Sequence, residues 1–153
     1  MNAAELAHAG AALDGLSFLR AISRGELPPP PIATLLGFEP AEVEEGRVTF
    51  VCTPRHDHYN PIGAVHGGLA MTLLDSAMGC AVHSTLPAGV GYTTLEVKTN
   101  FVRAITLETG RVLAHGEVVH RGSRVATAEG RLVAEATGKL LAHASTTCLV
   151  TPP

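Results

Sequence analysis

The residues of this chain best suited to chemistry stand between positions 60 and 75. Asp75 is the only side chain in the apolar stretch from Gly67 to Val82 that ordinarily carries a charge at neutral pH. An unpaired carboxylate inside an apolar element is costly, so Asp75 requires a hydrogen-bond partner, access to water or a catalytic role. Asn60 and the turn His66-Gly67-Gly68 lie just upstream and supply polar groups and unhindered backbone. This combination indicates a site for acid–base chemistry.

The glycine pair Gly67-Gly68 opens a predicted helix. Free N–H groups at a helix N-terminus carry partial positive charge, and glycine lets a ligand oxygen approach closely, which suits a hydrogen bond to a polarised carbonyl. Asp75 lies about 12 Å further along the helix axis, at 1.5 Å per residue. Both groups must come within about 3 Å of the reacting atoms. A reaction that uses both therefore requires Gly67 from one protomer and Asp75 from another.

One side of the predicted helix carries small or polar residues next to Asp75. They follow at spacings of four, three and four: Thr72, Ser76, Gly79 and His83. Leu69, Leu73 and Ala77 lie on another face. Gly79 stands one turn after Asp75 and is expected to leave room beside the carboxylate. The alternative is that Asp75 only accepts hydrogen bonds from Ser or Thr across a packed interface.

Hydrophobic spacing predicts a helix over residues 1–26, followed by an extended polyproline connector at Pro28–Pro31. We therefore divide the chain into an N-terminal helix with its connector, residues 1–31, and a main domain, residues 32–153. The helix is expected to cap core surface of the main domain.

The main domain is predicted to contain six strands and one long helix over residues 67–84. In the strand over 93–102, strict alternation places Leu95, Val97, Thr99 and Phe101 on the face opposite Thr94. Short turns between successive strands favour an antiparallel sheet that curls around the helix, an α+β architecture. A single sheet leaves one helix face uncovered, which favours a dimer. The other predicted strands are 38–43, 47–53, 110–121, 124–134 and 140–150.

Composition narrows the partners of the protein. The chain has 153 residues, 46% hydrophobic and 16% charged, with a formal net charge of -3. It lacks the dense basic face that binds nucleic acid. Its three widely spaced cysteines, Cys52, Cys80 and Cys148, indicate buried free thiols. The beginning of the chain does not match a signal peptide, and the apolar stretch ending at Val82 is too short to span a bilayer, so we expect a cytoplasmic protein without a membrane partner.

Two further groups of residues have functional alternatives. His56-Asp57-His58 could hold a metal, but no third ligand stands at a recognised spacing, and a solvated loop beside the substrate is the preferred interpretation. Arg103, Arg121 and Arg124 could bind the phosphates of a ligand or could be ordinary solvated surface, and the sequence leaves both interpretations open.

The segment from Asn60 to Gly68, followed by Asp75, resembles the hotdog-fold acyl-CoA thioesterases of the phenylacetate-degradation (PaaI-like) type. The resemblance continues through residues 94–101 and 138–150 and leaves the N-terminal helix outside. It implies a hotdog fold and hydrolysis of an acyl-CoA thioester. It also implies a homodimer that completes the active site, commonly assembled into a tetramer. The sequence departs from the family at Ala104, where a proline is frequent.

The resemblance also implies roles for individual residues. Asp75 would act as general base toward water or as nucleophile, and the Gly67 N–H would polarise the thioester carbonyl. Asn60 would orient the water or the thioester, Thr94 would hydrogen-bond near Asp75, and His66 would mainly fix the turn. No metal or cofactor is expected, since coenzyme A is part of the substrate. The expected substrate contacts are Gly68, Ser76, Gly79, Arg103, Arg121 and Arg124.

Two other functions fit the same fold. A hydratase or dehydratase would act on an acyl thioester with a catalytic histidine and an acid in a different local pattern. A non-catalytic acyl-CoA sensor would bind the thioester without releasing the thiol. The sequence does not identify the acyl group, because pocket shape is a tertiary property.

Overall fold

A long central helix and an antiparallel sheet around it organise the computed structural model, which describes residues 1–153. Three shorter helices precede the central helix α4: they are α1 (Ala3–Ala11), α2 (Gly15–Ser23) and α3 (Pro31–Leu36), and α4 is Gly67–His83. The strands are β1 (Phe38–Glu44), β2 (Arg47–Cys52), β3 (Gly91–Phe101), β4 (Val112–Arg121), β5 (Val125–Ala134) and β6 (Leu140–Thr151). The predicted antiparallel sheet around a central helix is confirmed.

All six strands form one sheet in the order β1-β2-β4-β5-β6-β3, and every neighbouring pair is antiparallel. The strand β3 pairs only with β6 and therefore forms one edge of the sheet. Because β3 is 11 residues long, it leaves a long row of backbone N–H and C=O groups without strand partners. None of the helices is long and apolar enough to cross a membrane.

Two glycines let α4 lie close against the sheet. A Cβ added to Gly116 on β4 would lie 2.3 Å from the backbone of Ala77, so no larger residue fits there without displacing the helix. A Cβ on Gly130 of β5 would meet the side chains of Leu74 and Met78 at 3.0 Å. The buried face of α4, including Leu74 and Met78, thereby forms the centre of the core.

The prediction of one helix over residues 1–26 is wrong, because the chain breaks between α1 and α2. The Asp14 carboxylate accepts hydrogen bonds from the N–H and the hydroxyl of Ser17, at 2.9 and 2.7 Å, and so caps a new helix. The new helix packs on the main domain: Leu19 joins the core, and Gly15 N–H donates to the Leu86 carbonyl at 3.0 Å.

The sequence reading also missed α3. The extended polyproline segment ends at Pro30, and Pro31 begins a helix of six residues. Proline is favoured at the first helical position because that position needs no N–H donor. Gly37 ends the helix with φ +74°, a left-handed conformation that glycine adopts at low cost. Ala33 of this helix is buried in the same core as α4.

The strict alternation predicted for β3 is wrong as well. A β-bulge lies between Thr94 and Glu96, where the pairing with β6 shifts by one residue. The extra residue, Leu95, is 57% exposed, while Thr94 is half-buried on the same side as Val97. The bulge therefore turns Thr94 toward α4, the opposite of what simple alternation requires.

Candidate active site

The beginning of α4 offers one unoccupied backbone donor. His66 caps the helix, and its Nδ1 accepts a hydrogen bond from the Gly68 N–H at 2.8 Å. The Gly67 N–H has no acceptor within the chain. His66 therefore fixes the turn, as the resemblance implies, and it commits the Gly68 N–H to that task. The free N–H at Gly67 points to a site for a ligand oxygen at the positive end of the helix dipole.

The loop before α4 is held by Asn60. Its Oδ1 accepts hydrogen bonds from the N–H groups of Ile62 and Ala64 at 3.0 and 3.1 Å. The loop turns at Gly63, which has φ +90°. These bonds occupy the side-chain oxygen of Asn60, so the amide NH₂ group is the end that can donate to a substrate or a water.

Asp75 is half-buried in the middle of α4 and has one hydrogen-bonding partner. Thr94 Oγ1 donates to Asp75 Oδ1 at 2.9 Å across the gap between β3 and the helix. The contact that the resemblance implies for Thr94 is thus present, while its role in a reaction stays a prediction. Asp75 Oδ2 makes no hydrogen bond within the chain and is the oxygen left to act on a water or a carbonyl carbon.

The groups around this carboxylate are weakly polar. Burial raises the pKa of Cys80 to about 12, and the negative charge of Asp75 contributes to the rise. Burial likewise raises the pKa of Cys148, which lies opposite Thr94 on β6. Both thiols therefore stay protonated at neutral pH and add no charge beside Asp75.

Two residues expected to contact substrate lie further along the same helix. Ser76 is half-buried next to Asp75. Gly79 is buried, and a Cβ there would lie only 2.7 Å from the Tyr92 hydroxyl oxygen. The side of Gly79 that faces β3 is filled by the Tyr92 side chain, and the expected substrate contact at Gly79 stays a prediction.

A cleft of about 410 Å³ opens at the Gly67 end of the helix. Its wall is mostly apolar and includes His66, Phe101 and Arg103. Arg121 and Arg124 lie at the other end of the sheet. The residues paired with Arg121 across β5 and β6 lead to Thr94, which lies at the Asp75 end of β3. A single chain therefore does not bring the three arginines together, and only Arg103 adjoins the free N–H.

A profile of the thioesterase superfamily matches residues 62–141, a segment that contains both the Gly67 turn and Asp75. The chain belongs to the thioesterase superfamily. Its six-stranded antiparallel sheet around a long helix is the hotdog fold of that superfamily, with PaaI-like thioesterases among its structural neighbours. Membership indicates a hydrolase that acts on thioesters.

Several known proteins are similar to this member of the thioesterase superfamily. A phenylacetic acid degradation-related thioesterase structure from Ralstonia eutropha has a TM-score of 0.77 and 29% identity, covering 86% of this chain and 98% of that one. A variant of the phenylacetic acid degradation protein PaaI from Thermus thermophilus has a TM-score of 0.70 and 28% identity, covering 78% and 97%. A Halobacterium salinarum protein with an esterase name is 41% identical over 69 residues; the match spans 44% of each chain.

Of the two histidines in the loop before α4, His58 is buried and hydrogen-bonded within the loop, and His56 is exposed. His58 is buried, and its Nδ1 accepts a hydrogen bond from the Arg55 N–H at 3.0 Å. Burial and the positive charge of Arg55 lower the pKa of His58. The structure contains no group of three His, Cys, Asp or Glu residues arranged to hold a metal.

Sequence reasoning did not single out Tyr92, which lies beside Gly79. The available signal was its spacing: Tyr92 stands two residues before Thr94, and residues two apart on a strand share a face. The strand begins at Gly91, two residues earlier than predicted, and thus includes Tyr92.

Proposed function

We propose that this protein hydrolyses an acyl-CoA thioester to the free acid and coenzyme A. The proposal rests on two groups of α4 that each have a hydrogen-bonding position without a partner. The Gly67 N–H has no acceptor, and the half-buried Asp75 carboxylate is held through Oδ1 alone. One is suited to polarising a carbonyl and the other to activating a nucleophile.

The proposed chemistry follows from these two groups. The Gly67 N–H donates a hydrogen bond to the thioester carbonyl oxygen and stabilises the negative charge that develops on it. Asp75 Oδ2 takes a proton from the water whose oxygen attacks the carbonyl carbon, or attacks that carbon itself to give an anhydride that water then opens. The C–S bond breaks, and the thiolate leaves and takes up a proton. Because a thiolate is a good leaving group, the reaction needs no metal, and coenzyme A enters as part of the substrate.

The active site is proposed to be shared between two protomers. Within one chain, the two groups are about 12 Å apart along the helix axis, too far to act on one carbonyl. Phe101 covers Gly67 at one end of β3, while Thr94 holds Asp75 toward the other end. If two β3 edges pair antiparallel about a two-fold axis, the Gly67 end of one protomer meets the Asp75 end of its partner.

The surface beside β3 supports this dimer. Apolar side chains there are exposed in the single chain: Met71 is 38% exposed, and Leu95, Phe101 and Val102 are 57%, 57% and 51% exposed. They flank the unpaired strand edge, a combination that natural proteins cover. Assembly of such dimers into a tetramer, and a cytoplasmic location, stay predictions.

The proposed coenzyme A site lies in the cleft at Gly67. The apolar wall suits the alkyl arm of the coenzyme, and Arg103 at its rim suits a phosphate. None of the four ion pairs of the structure involves Arg103, so its guanidinium is available for an anion. Arg121 and Arg124 remain candidates from the partner subunit.

Thiol release from a panel of acyl-CoA thioesters tests the proposal. We expect the wild type to release coenzyme A and Asp75→Asn to lose at least about 99% of that activity, as is usual when a catalytic base is removed. Glu129→Gln removes an exposed carboxylate on the outer face of the sheet and is expected to keep full activity. Wild-type rates in Asp75→Asn would refute the mechanism. Binding without thiol release would favour a sensor, and water addition to an unsaturated thioester a hydratase.

A further inference from the structure

The turn that begins α4 is held from outside the helix by two backbone hydrogen bonds. The His66 N–H donates to the His58 carbonyl at 2.7 Å, and the Val65 N–H donates to the Ile105 carbonyl at 2.9 Å. His66 caps the helix, and Gly67, with its free N–H, follows directly. The position of that N–H therefore depends on His58, in the loop before the helix.

The His58 side chain fixes the short turn that carries this carbonyl. Its Nδ1 accepts a hydrogen bond from the Arg55 N–H at 3.0 Å, while the His58 N–H donates to the Arg55 carbonyl, also at 3.0 Å. The two bonds close residues 55–58 in both directions, as in a capping box. Because His58 is only 6% exposed, water does not replace the side-chain bond unless the turn rearranges.

The same turn is attached to α3. A guanidinium nitrogen of Arg55 donates to the Leu35 carbonyl at 3.0 Å. The thiol of Cys52, at the end of β2, donates to the neighbouring Leu36 carbonyl at 3.8 Å. The turn thus connects the start of α4 to α3, and His58 is the residue through which this support reaches His66.

Only the neutral form of His58 can accept the hydrogen bond from the Arg55 N–H. A protonated ring donates from both nitrogens, so Nδ1 would then meet another donor. Burial and the positive charge of Arg55, whose guanidinium lies 3.4 Å from Nε2, lower the pKa of His58; the Leu36 carbonyl and Asp57 oppose this only in part. The ring is therefore an acceptor at neutral pH and loses that property in acid.

We propose that His58 is a positioning residue for the active site. As an acceptor it holds the 55–58 turn, and through its carbonyl it keeps His66 and the Gly67 N–H in position to donate to the thioester oxygen. This inference rests on the proposed thioester hydrolysis. Because the Gly67 N–H stabilises charge that develops in the transition state, a displaced turn should lower kcat and leave KM nearly unchanged.

Two substitutions of His58, compared at about pH 7.5, test the proposal. His58→Asn places an acceptor oxygen where Nδ1 lies and does not titrate, whereas His58→Leu fills the buried site without an acceptor. We expect His58→Leu to lower kcat for acyl-CoA thioesters about tenfold to a hundredfold, as a misplaced catalytic group does, and His58→Asn to retain most of it. Packing alone predicts the opposite order, because leucine suits a buried site better than asparagine.

The pH dependence of kcat, followed from about pH 8 to about pH 5, gives a second test. Wild-type kcat should fall reversibly below about pH 6.5, the ordinary pKa of histidine, as His58 is protonated, and His58→Asn should lack this loss. Both proteins contain Asp75, so its titration does not distinguish them. His56→Asn, which removes the exposed histidine of the same loop, is the matched control and should keep the wild-type profile. Far-UV circular dichroism at each pH checks that the proteins stay folded.

The outcomes separate this inference from the proposed function. Wild-type kcat in His58→Leu, no better kcat in His58→Asn than in His58→Leu, or identical pH profiles of the wild type and His58→Asn would each overturn the positioning role while hydrolysis stands. Absence of thiol release by the wild type from every acyl-CoA tested overturns the proposed function itself.

Discussion

At the scale of single residues, the site is defined by groups left incompletely satisfied. One carboxylate oxygen of Asp75 and the N–H of Gly67 make no hydrogen bond within the chain. In contrast, the side chains of His66 and Asn60 accept hydrogen bonds from neighbouring backbone N–H groups. The lone acid in an apolar helix and the glycine turn were both recognisable in the sequence. Tyr92 shares a strand face with Thr94 by its spacing, but its contact with Gly79 depends on how β3 packs against α4.

A buried histidine, His58, and a half-buried one, His83, make the stability of the fold depend on pH. Burial lowers the pKa of His83, and burial together with Arg55 lowers that of His58. In the unfolded chain, histidine takes up a proton near pH 6.5, but the folded rings resist it. Stability is therefore complete above about pH 6.5 and is lost as the pH falls toward the lowered pKa values. We expect the free energy of unfolding, measured with urea, to be smaller at about pH 5.5 than at about pH 7.5.

His83→Gln separates this effect from general acid denaturation. It removes one titrating group, so the slope of unfolding free energy against pH should become shallower within the same window. Carboxylates contribute little there, because their ordinary pKa values are near 4. Equal stability of the wild type at both pH values would contradict the prediction.

At the scale of elements, the sequence predicted the helix and strands that have a regular hydrophobic period. It did not predict the helix break and the β-bulge, which interrupt that period. The helix over 67–84 and the six strands follow from regular apolar spacing, and the structure has them with boundaries shifted by at most two residues. The break at Asp14 depends on a side-chain cap. The bulge at Leu95 depends on pairing with β6, a distant part of the chain. That bulge matters for the proposed site, because it directs Thr94 to Asp75.

The contact between α4 and β4 gives a prediction about packing. In Gly116→Ala, the added methyl group would meet the backbone of Ala77 and Met78, which cannot move independently of the helix. We expect a loss of about 1–3 kcal/mol in unfolding free energy, and lower activity because α4 carries Asp75. Gly130→Ala is the matched comparison: its methyl group meets only the flexible ends of Leu74 and Met78, so the loss measured in urea should be smaller. A larger loss in Gly130→Ala would show that β5, not β4, sets the helix position.

At the scale of the whole molecule, the two groups of the proposed site lie too far apart within one chain to act on one carbonyl. The Gly67 cleft and the Asp75–Thr94 pair lie toward opposite ends of β3, and the free edge of that strand lies between them. The helix α2 packs at the His83 end of α4, away from the Gly67 cleft. The arrangement leaves the β3 side of α4 open, and the proposed second copy would cover that side and bring the two halves together.

Complementation between two inactive variants tests whether the site is shared. Asp75→Asn removes the carboxylate. Gly67→Pro removes the N–H at a first helical position that accepts proline, and His66 before it already has the extended ψ of 134° that a following proline requires. Gly67→Ala adds a Cβ against the Phe101 ring but keeps the N–H, so it should retain most activity. Each of the first two variants alone should be inactive.

Refolded together in equal amounts, the two inactive variants should regain about a quarter of the wild-type activity. About half of randomly assorted dimers are mixed, and each mixed dimer has one site with both defects and one with neither. A control mixture of Asp75→Asn with the double variant Asp75→Asn/Gly67→Pro contains no intact site and should stay inactive. If the first mixture also stays inactive although native mass spectrometry shows mixed dimers, each site lies within one chain. The 12 Å separation along α4 would then require a different partner for the thioester oxygen than the Gly67 N–H.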